Sequence, residues 1–150
     1  MLFRSGDSPN VGAVLCLADN NNLIIRNYTQ VDGSWRSADT AEFVQTNKWY
    51  HIVSTYDGQY LRVYVDGNEA GSSYNPGIMT NSQGSSSSNI TIGGRACNSR
   101  HWFNGFIDEV QVYNRALSNI EVKSIYNIPE PQNFLLIIAS ISLLYFRLRK

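Results

Sequence analysis

One loop of the chain combines side chains suited to binding a sugar. Residues 95–102 include Asn98, Arg100, His101 and Trp102. An aromatic ring can stack on the apolar face of a sugar, while amide and guanidinium groups hydrogen-bond to its hydroxyls. In the alternative interpretation, Trp102 packs in the core and the other three side chains are solvated. The sequence leaves both open.

Asp108 is the acidic residue whose predicted surroundings are apolar. Strand alternation places Phe106, Asp108, Val110 and Val112 on one face, which is otherwise apolar. A buried carboxylate needs a cation or several hydrogen bonds. Asp108 is therefore expected either to bind a metal ion or to be satisfied by backbone N–H groups or an arginine.

The sequence contains only weak indications of a catalytic site. Retaining glycoside hydrolysis needs two carboxyl groups about 5–5.5 Å apart, but Asp108 and Glu109 are neighbours in a strand and point to opposite faces. His51 and His101 have no serine or cysteine partner motif, and Gly93-Gly94 ends a strand rather than opening a helix. We predict a non-catalytic protein.

Cys16 and Cys97 are the two cysteines of the chain. In an oxidising compartment they can form one disulfide, or they remain two thiols. Without a histidine cluster they do not make a zinc site.

The elements that carry these residues are mostly strands. Runs of valine, isoleucine, tyrosine and threonine alternate with glycine, asparagine and aspartate clusters, which is typical of short antiparallel strands. Asp57-Gly58 and Asp66-Gly67 are predicted turns, and residues 71–89 a polar loop. The predicted strands are 11–18, 23–28, 49–56, 60–65, 89–93 and 103–113.

A single helix is predicted near residue 120. Ser118 and Glu121 have the spacing of a capping box, and Ile120, Val122 and Ile125 are the residues expected to face the sheets. Short antiparallel strands with frequent turns indicate a sandwich or a barrel.

The second half of this pattern resembles a laminin-G-like domain of the concanavalin-A-like lectin/glucanase group. The motifs are KWYHIVSTYDGQYLRVYVDGNEAGS, NITIGG and FNGFIDEVQVYNRALSNIEVKSIY, in that order. The resemblance implies an all-β antiparallel jelly-roll sandwich over residues 1–127. Leu2–Asp7 resembles a strand from the middle of that family's domain, so its opening strands are expected to be missing.

The resemblance also implies a function. It makes a structural Ca²⁺ at Asp108 an expectation, although residues 95–98 carry no acid where the pentraxin-like pattern has them. It implies non-catalytic binding, of a polysaccharide above all. The alternatives are a structural or adhesive protein with protein partners and an accessory domain of a glycan-active enzyme.

The C-terminus is expected to form a membrane-type helix. Residues 134–146 are an uncharged run of 13 residues, followed by Arg147, Arg149 and Lys150. As a helix the run covers roughly 20 Å of a bilayer core about 30 Å thick. Basic residues at one end favour a cytoplasmic position for that end.

A Pro-Glu-Pro triplet, Pro129, Glu130 and Pro131, precedes this run in a linker of residues 128–133. Triplet, apolar run and basic end together resemble the PEP-CTERM sorting signal of Gram-negative bacteria. That resemblance implies recognition by an exosortase, transient anchoring of residues 134–150 in the inner membrane, and release to the cell surface or extracellular matrix.

The N-terminus does not have the sequence pattern expected of an exported protein. Residues 1–20 lack the pattern of a signal peptide, so we expect a truncated start or another export route.

Twelve Lys+Arg balance twelve Asp+Glu, which argues against a strongly basic nucleic-acid binder. The balance is uneven, because residues 1–146 carry a net charge of −3 and the last four residues +3.

Overall fold

The computed structural model describes residues 3–4, 13–19, 23–80, 92–95, 103–128 and 147–149. Within these ranges the chain forms two five-stranded sheets and one short helix. The expectation of an all-β antiparallel sandwich is confirmed.

The first sheet has the strand order β4-β3-β2-β1-β8. Its neighbours pair antiparallel except β1 and β8, which are parallel. The five strands are β1 (Phe3–Arg4), β2 (Ala13–Asp19), β3 (Leu23–Val31), β4 (Ser34–Asp39) and β8 (Gly94–Arg95).

The second sheet has the order β7-β6-β5-β10-β9, with every pair antiparallel. A C-terminal strand therefore lies between two strands that are distant from it in sequence. The strands are β5 (Trp49–Tyr56), β6 (Tyr60–Val65), β7 (Asn68–Tyr74), β9 (Phe106–Asp108) and β10 (Arg147–Arg149).

Two-residue Asp-Gly turns close two of the hairpins. Asp66-Gly67 joins β6 to β7, with φ of 49° and 77°, and Asp32-Gly33 joins β3 to β4, with φ of 47° and 74°. Positive φ at both positions matches the right-handed twist of the flanking strands. The sequence interpretation found the first turn and missed the second, and with it strand β4.

The core has two parts. Between the sheets, Ile25, Leu61 and Val63 are almost fully buried together with Leu15, Ala38 and Ile52. On the opposite face of the second sheet, Tyr64 packs against Leu117 and Val122. Strand β5 therefore contributes to both parts, with Ile52 on one face and Val53 on the other.

Helix α1 (Asn119–Tyr126) begins with the predicted capping box. The Ser118 hydroxyl accepts from the Glu121 backbone N–H, and the Glu121 carboxylate accepts from the Ser118 backbone N–H. Val122 is fully buried and Ile125 partly buried, as expected. The expectation for Ile120 is wrong, because that side chain is 78% exposed.

Several other sequence boundaries are wrong. The strand predicted over 23–28 continues to Val31. The polar loop predicted from residue 71 begins later, because β7 continues to Tyr74. The long strand predicted over 103–113 is reduced to β9, since Glu109 takes a φ of 50° and ends the extended run. Of the strand predicted over 89–93, residues 89–91 lie outside the described ranges. Residues 92 and 93 are not in a strand, and β8 begins only at Gly94.

Candidate functional site

The outer face of the first sheet carries a row of aromatic and charged side chains. In β3 the odd-numbered residues Ile25, Asn27 and Thr29 are buried toward the other sheet, so the residues between them face outward. Cross-strand pairing aligns Arg26 with Asp39 and places Trp35 diagonally from Tyr28. We call Arg26, Tyr28, Trp35 and Asp39 the aromatic face.

Arg26 is held in place from two sides. Its Nε and Nη2 atoms donate to the two carboxylate oxygens of Asp39 at 2.7 and 2.5 Å, and its Nη1 donates to the Tyr28 hydroxyl at 3.0 Å. The hydrogen bond to Asp39 is the main cause that raises the pKa of Arg26 above its ordinary value. Arg26 is therefore a fixed cation with a defined orientation.

The rings extend this row. The Arg26 guanidinium carbon lies 5.3 Å from the Tyr28 ring centroid, and the Tyr28 and Trp35 rings meet edge to face at 6.4 Å. Trp35 is 46% exposed. The Tyr28 ring lies between the exposed indole and the fixed Arg–Asp pair, so an apolar stacking surface and hydrogen-bonding groups lie on one face of the sheet.

A second aromatic pair lies on the other sheet. The Tyr60 and Tyr74 ring centroids are 5.0 Å apart, and the Arg62 guanidinium carbon lies 4.6 Å from the Tyr60 centroid. Arg62 donates to Asp57 at 2.5 Å. These rings are tilted by 53°, so they do not form a flat platform.

A cleft of about 470 Å³ opens between the sheets along β5. Its polar lining includes Asn27, Thr29 and Gln111. The Thr29 hydroxyl donates to the Asn27 side-chain oxygen at 3.2 Å. Gln111 Nε2 is buried and has no hydrogen-bond partner within the described part of the chain.

The predicted sugar-binding loop cannot be compared with this geometry. Asn98, Arg100, His101 and Trp102 all lie outside the described residues, so that assignment stays a prediction.

The interpretation of Asp108 as a buried carboxylate is wrong. Asp108 is exposed, as is Phe106, whereas Ile107 between them packs against the core. The side chains of β9 that face the core and those that face away from it are therefore the reverse of those expected. The Glu109 backbone N–H donates to the Asp108 carboxylate. Across the described ranges, three or more His, Cys, Asp or Glu residues nowhere cluster as metal ligands do. The Ca²⁺ expectation now depends on family resemblance alone.

The two cysteines are only partly described. Cys16 lies in β2 and is buried. Cys97 lies outside the described residues. Their disulfide stays a prediction.

Some residues of the predicted sorting signal lie within the described ranges and others lie outside them. Pro129, Glu130, Pro131 and Lys150 fall outside the described ranges, as do residues 134–146. Arg147 and Arg149 belong to β10, where the sequence predicts the basic end of a helix. Where helix is described in this chain, none is both long and apolar enough to cross a bilayer.

Sequence reasoning missed the aromatic face. The available signal was Asp32-Gly33 between two alternating runs, RNYTQV and SWRSAD. A two-residue turn fixes the register of a hairpin, and that register brings Arg26 opposite Asp39.

Fold and surface together define a β-sandwich of the lectin type, with an exposed aromatic row on one sheet and a cleft between the sheets. A family model described as "Concanavalin A-like lectin/glucanases superfamily", of the laminin G kind, matches residues 1–123. The chain belongs to this superfamily.

No curated protein matches the chain. A solved structure, residues 221–444 of an S-layer domain-containing protein from Clostridium thermocellum, is similar with 19% identity and a TM-score of 0.45. The match covers 81% of this chain and 60% of that one, so the chain spans less than two thirds of that structure's length.

Proposed function

We propose that this chain is an exported, surface- or matrix-associated domain that binds polysaccharide without catalysing a reaction. The aromatic face carries the proposal. Membership of a superfamily that includes lectins supports it, although the same superfamily includes glucanases.

The chemistry of the aromatic face suits a sugar. The exposed Trp35 ring offers a surface on which the C–H groups of a sugar can stack, and the Arg26–Asp39 pair lies on the same side of the sheet. Arg26 and Asp39 already hold each other, so little side-chain freedom is lost when a ligand binds. The Arg26–Asp39 pair offers both hydrogen-bond donors and acceptors, which suits the hydroxyl groups of a sugar.

A glycan array probed with the full chain tests the proposal. We expect binding to a polysaccharide and its loss in Trp35→Ala. Tyr74→Ala is the matched control, because Tyr74 is an exposed aromatic residue on the other sheet. If Tyr74→Ala abolishes binding while Trp35→Ala does not, the aromatic face is the wrong site.

The same array, run with and without EDTA, tests whether glycan binding depends on Ca²⁺. We keep Ca²⁺ as a proposed cofactor of the family type, with Asp108 as its candidate ligand. Binding that survives EDTA unchanged would remove Ca²⁺ from the proposal.

The array also separates the alternative functions. An intact fold with no glycan binding in either condition would favour the adhesive alternative, in which a surface protein is the partner. Turnover of a bound glycan would contradict the non-catalytic assignment.

We further propose that the C-terminus is a sorting signal for an exosortase, with transient anchoring in the inner membrane of a Gram-negative bacterium. Support comes from the order of the Pro-Glu-Pro triplet, the uncharged run and the basic end. Expression in hosts with and without an exosortase tests it. Processing near residues 129–131 only in the host with the enzyme is expected, and equal processing in both would overturn it.

A further inference from the structure

A buried glutamine lies next to the aromatic face. Side chains alternate along β3, so Gln30 follows Arg26 and Tyr28 on the outer side of the first sheet. Arg26 and Tyr28 are partly exposed, whereas Gln30 is only 3% exposed. A polar side chain is therefore enclosed at one end of the exposed row.

Two hydrogen bonds hold Gln30 in place. The Thr80 backbone N–H donates to the Gln30 main-chain carbonyl at 3.0 Å. The Gln30 side-chain Nε2 donates to the Gly33 carbonyl at 3.3 Å. Gly33 is itself fixed, because its N–H donates to the Thr80 hydroxyl at 2.9 Å. The side-chain amide is therefore oriented by the turn between β3 and β4.

The oxygen of this amide is unpaired. Gln30 Oε1 is buried and accepts no hydrogen bond from the part of the chain that the structure describes. The bond to Gly33 assigns the two amide atoms, since a carbonyl oxygen needs an N–H donor opposite it. A buried acceptor without a donor costs free energy, which a hydroxyl or N–H group placed beside it would recover.

Trp35 lies directly opposite Gln30. The two residues pair in the register of β3 and β4, so their side chains are neighbours on the same face of the sheet. Trp35 is 46% exposed, and a change in its rotamer would give a ligand access to Gln30. The ring proposed to stack on a sugar therefore adjoins an unpaired acceptor.

We propose that Gln30 Oε1 accepts a hydrogen bond from a hydroxyl of the sugar that stacks on Trp35. This inference rests on the proposed function, because it assigns a specificity-determining contact to the same face. The oxygen only accepts, so the site selects a sugar with a free hydroxyl beside its stacked face. A sugar that lacks this hydroxyl leaves the acceptor unpaired and is discriminated against.

The full chain and its Gln30→Met variant, applied to the same glycan array, test this contact. Methionine keeps the length of the side chain but has no amide. We expect the glycans that the parent chain binds to bind the variant at least tenfold more weakly. The unfolding free energy, measured by chemical denaturation, is expected to stay equal or to rise, because an unpaired buried amide is removed. Opposite effects on binding and stability indicate an acceptor reserved for a ligand.

Thr29→Val is the matched control. Thr29 is a buried polar residue on the same strand, but it faces the other sheet, and its hydroxyl donates to the Asn27 side chain. This variant is expected to be less stable and to bind glycans as the parent chain does. If Gln30→Met shows the same behaviour, Gln30 has a structural role and the inference is wrong.

Monodeoxy forms of the array glycan that binds most tightly identify the hydroxyl. One of them is expected to bind the parent chain at least tenfold more weakly than the intact glycan, whereas Gln30→Met binds both equally. Gln30→Asn, whose amide is one methylene shorter, serves for the same comparison if Gln30→Met does not fold. Equal sensitivity of parent and variant to all deoxy forms would overturn the inference.

This contact and the proposed function fail in different ways. If the parent chain binds no glycan, both are wrong. If Trp35→Ala abolishes binding while Gln30→Met leaves it unchanged, the aromatic face remains the binding site and only the Gln30 contact is wrong.

Discussion

Arg26 and Asp39 lie directly opposite each other on neighbouring strands and share two parallel hydrogen bonds of 2.7 and 2.5 Å. The pair is partly exposed, with side-chain accessibilities of 19% and 33%. Exposed ion pairs contribute less than about 1 kcal/mol to stability. Its larger effect is expected on ligand orientation.

Replacing Arg26 by lysine tests whether ligand binding depends on the positive charge alone or also on the planar pairing with Asp39. Lysine keeps the positive charge but cannot form the planar two-bond pair with Asp39. We expect the polysaccharide to bind roughly tenfold more weakly, since a charge-assisted hydrogen bond is worth about 1.5–3 kcal/mol. Isothermal titration measures the change. Arg36→Lys is the control, because Arg36 is exposed on β4, the strand of Asp39, and faces away from Trp35. Equal weakening by both variants would contradict the prediction.

Gly71 is required where the two sheets approach each other. A Cβ atom there would lie 1.9 Å from the Asp39 carbonyl oxygen, beside the hydrogen bond from Ala41 N to Ala70 O. We expect Gly71→Ala to destabilise the fold by about 1–3 kcal/mol through overpacking. Chemical denaturation measures it. Ser72→Ala, exposed on the same strand, should change stability by less than about 0.5 kcal/mol, and a Gly71→Ala variant as stable as Ser72→Ala would refute the close approach.

Helix α1 is held to the second sheet by Val122. This side chain is fully buried against Tyr64 and Leu117, so Val122→Ala should cost about 1–3 kcal/mol of unfolding free energy. Ile120→Ala should cost almost nothing, because Ile120 is exposed on the same helix. Thermal melts of both variants distinguish the two positions, and the reverse ranking would mean that the helix packs by the face expected from sequence.

Asp57 links stability to acid pH. Burial raises the pKa of its carboxyl, but hydrogen bonds from Arg62 and from the Tyr60 and Gln59 backbone N–H groups outweigh this and lower the pKa to about 2, from 3.8. As pH falls, the unfolded chain binds this proton first. The contribution of Asp57 is therefore full above about pH 4 and lost between about pH 4 and pH 2.

Asp57→Asn tests that dependence. Asp57 is partly exposed, so the contribution is expected to be less than about 1 kcal/mol. The unfolding free energy of the variant should fall less steeply than that of the parent between pH 4 and pH 2. Parallel curves across that interval would exclude Asp57 as a source of the acid sensitivity.

Local patterns predicted much of the fold. Strands β5 and β6 have the predicted bounds, because alternating residues and Asp57-Gly58 are signals contained within a few residues. The capping box likewise predicted where α1 begins. Strand β4 was missed because SWRSAD has few residues of strong strand propensity and forms by pairing with β3.

The sequence by itself determined the fold class, the Asp57-Gly58 and Asp66-Gly67 turns and the helix start, since each depends on residue type and short-range spacing. Only the tertiary structure decided which faces are buried. A strand pattern defines two faces but not which one meets a neighbour, so Asp108 was assigned inward and is outward. Long-range pairing also joined Arg26 to Asp39 and placed Arg147–Arg149 between β5 and β9. These contacts link residues far apart in the chain, and their energies depend on packing that no local spacing records.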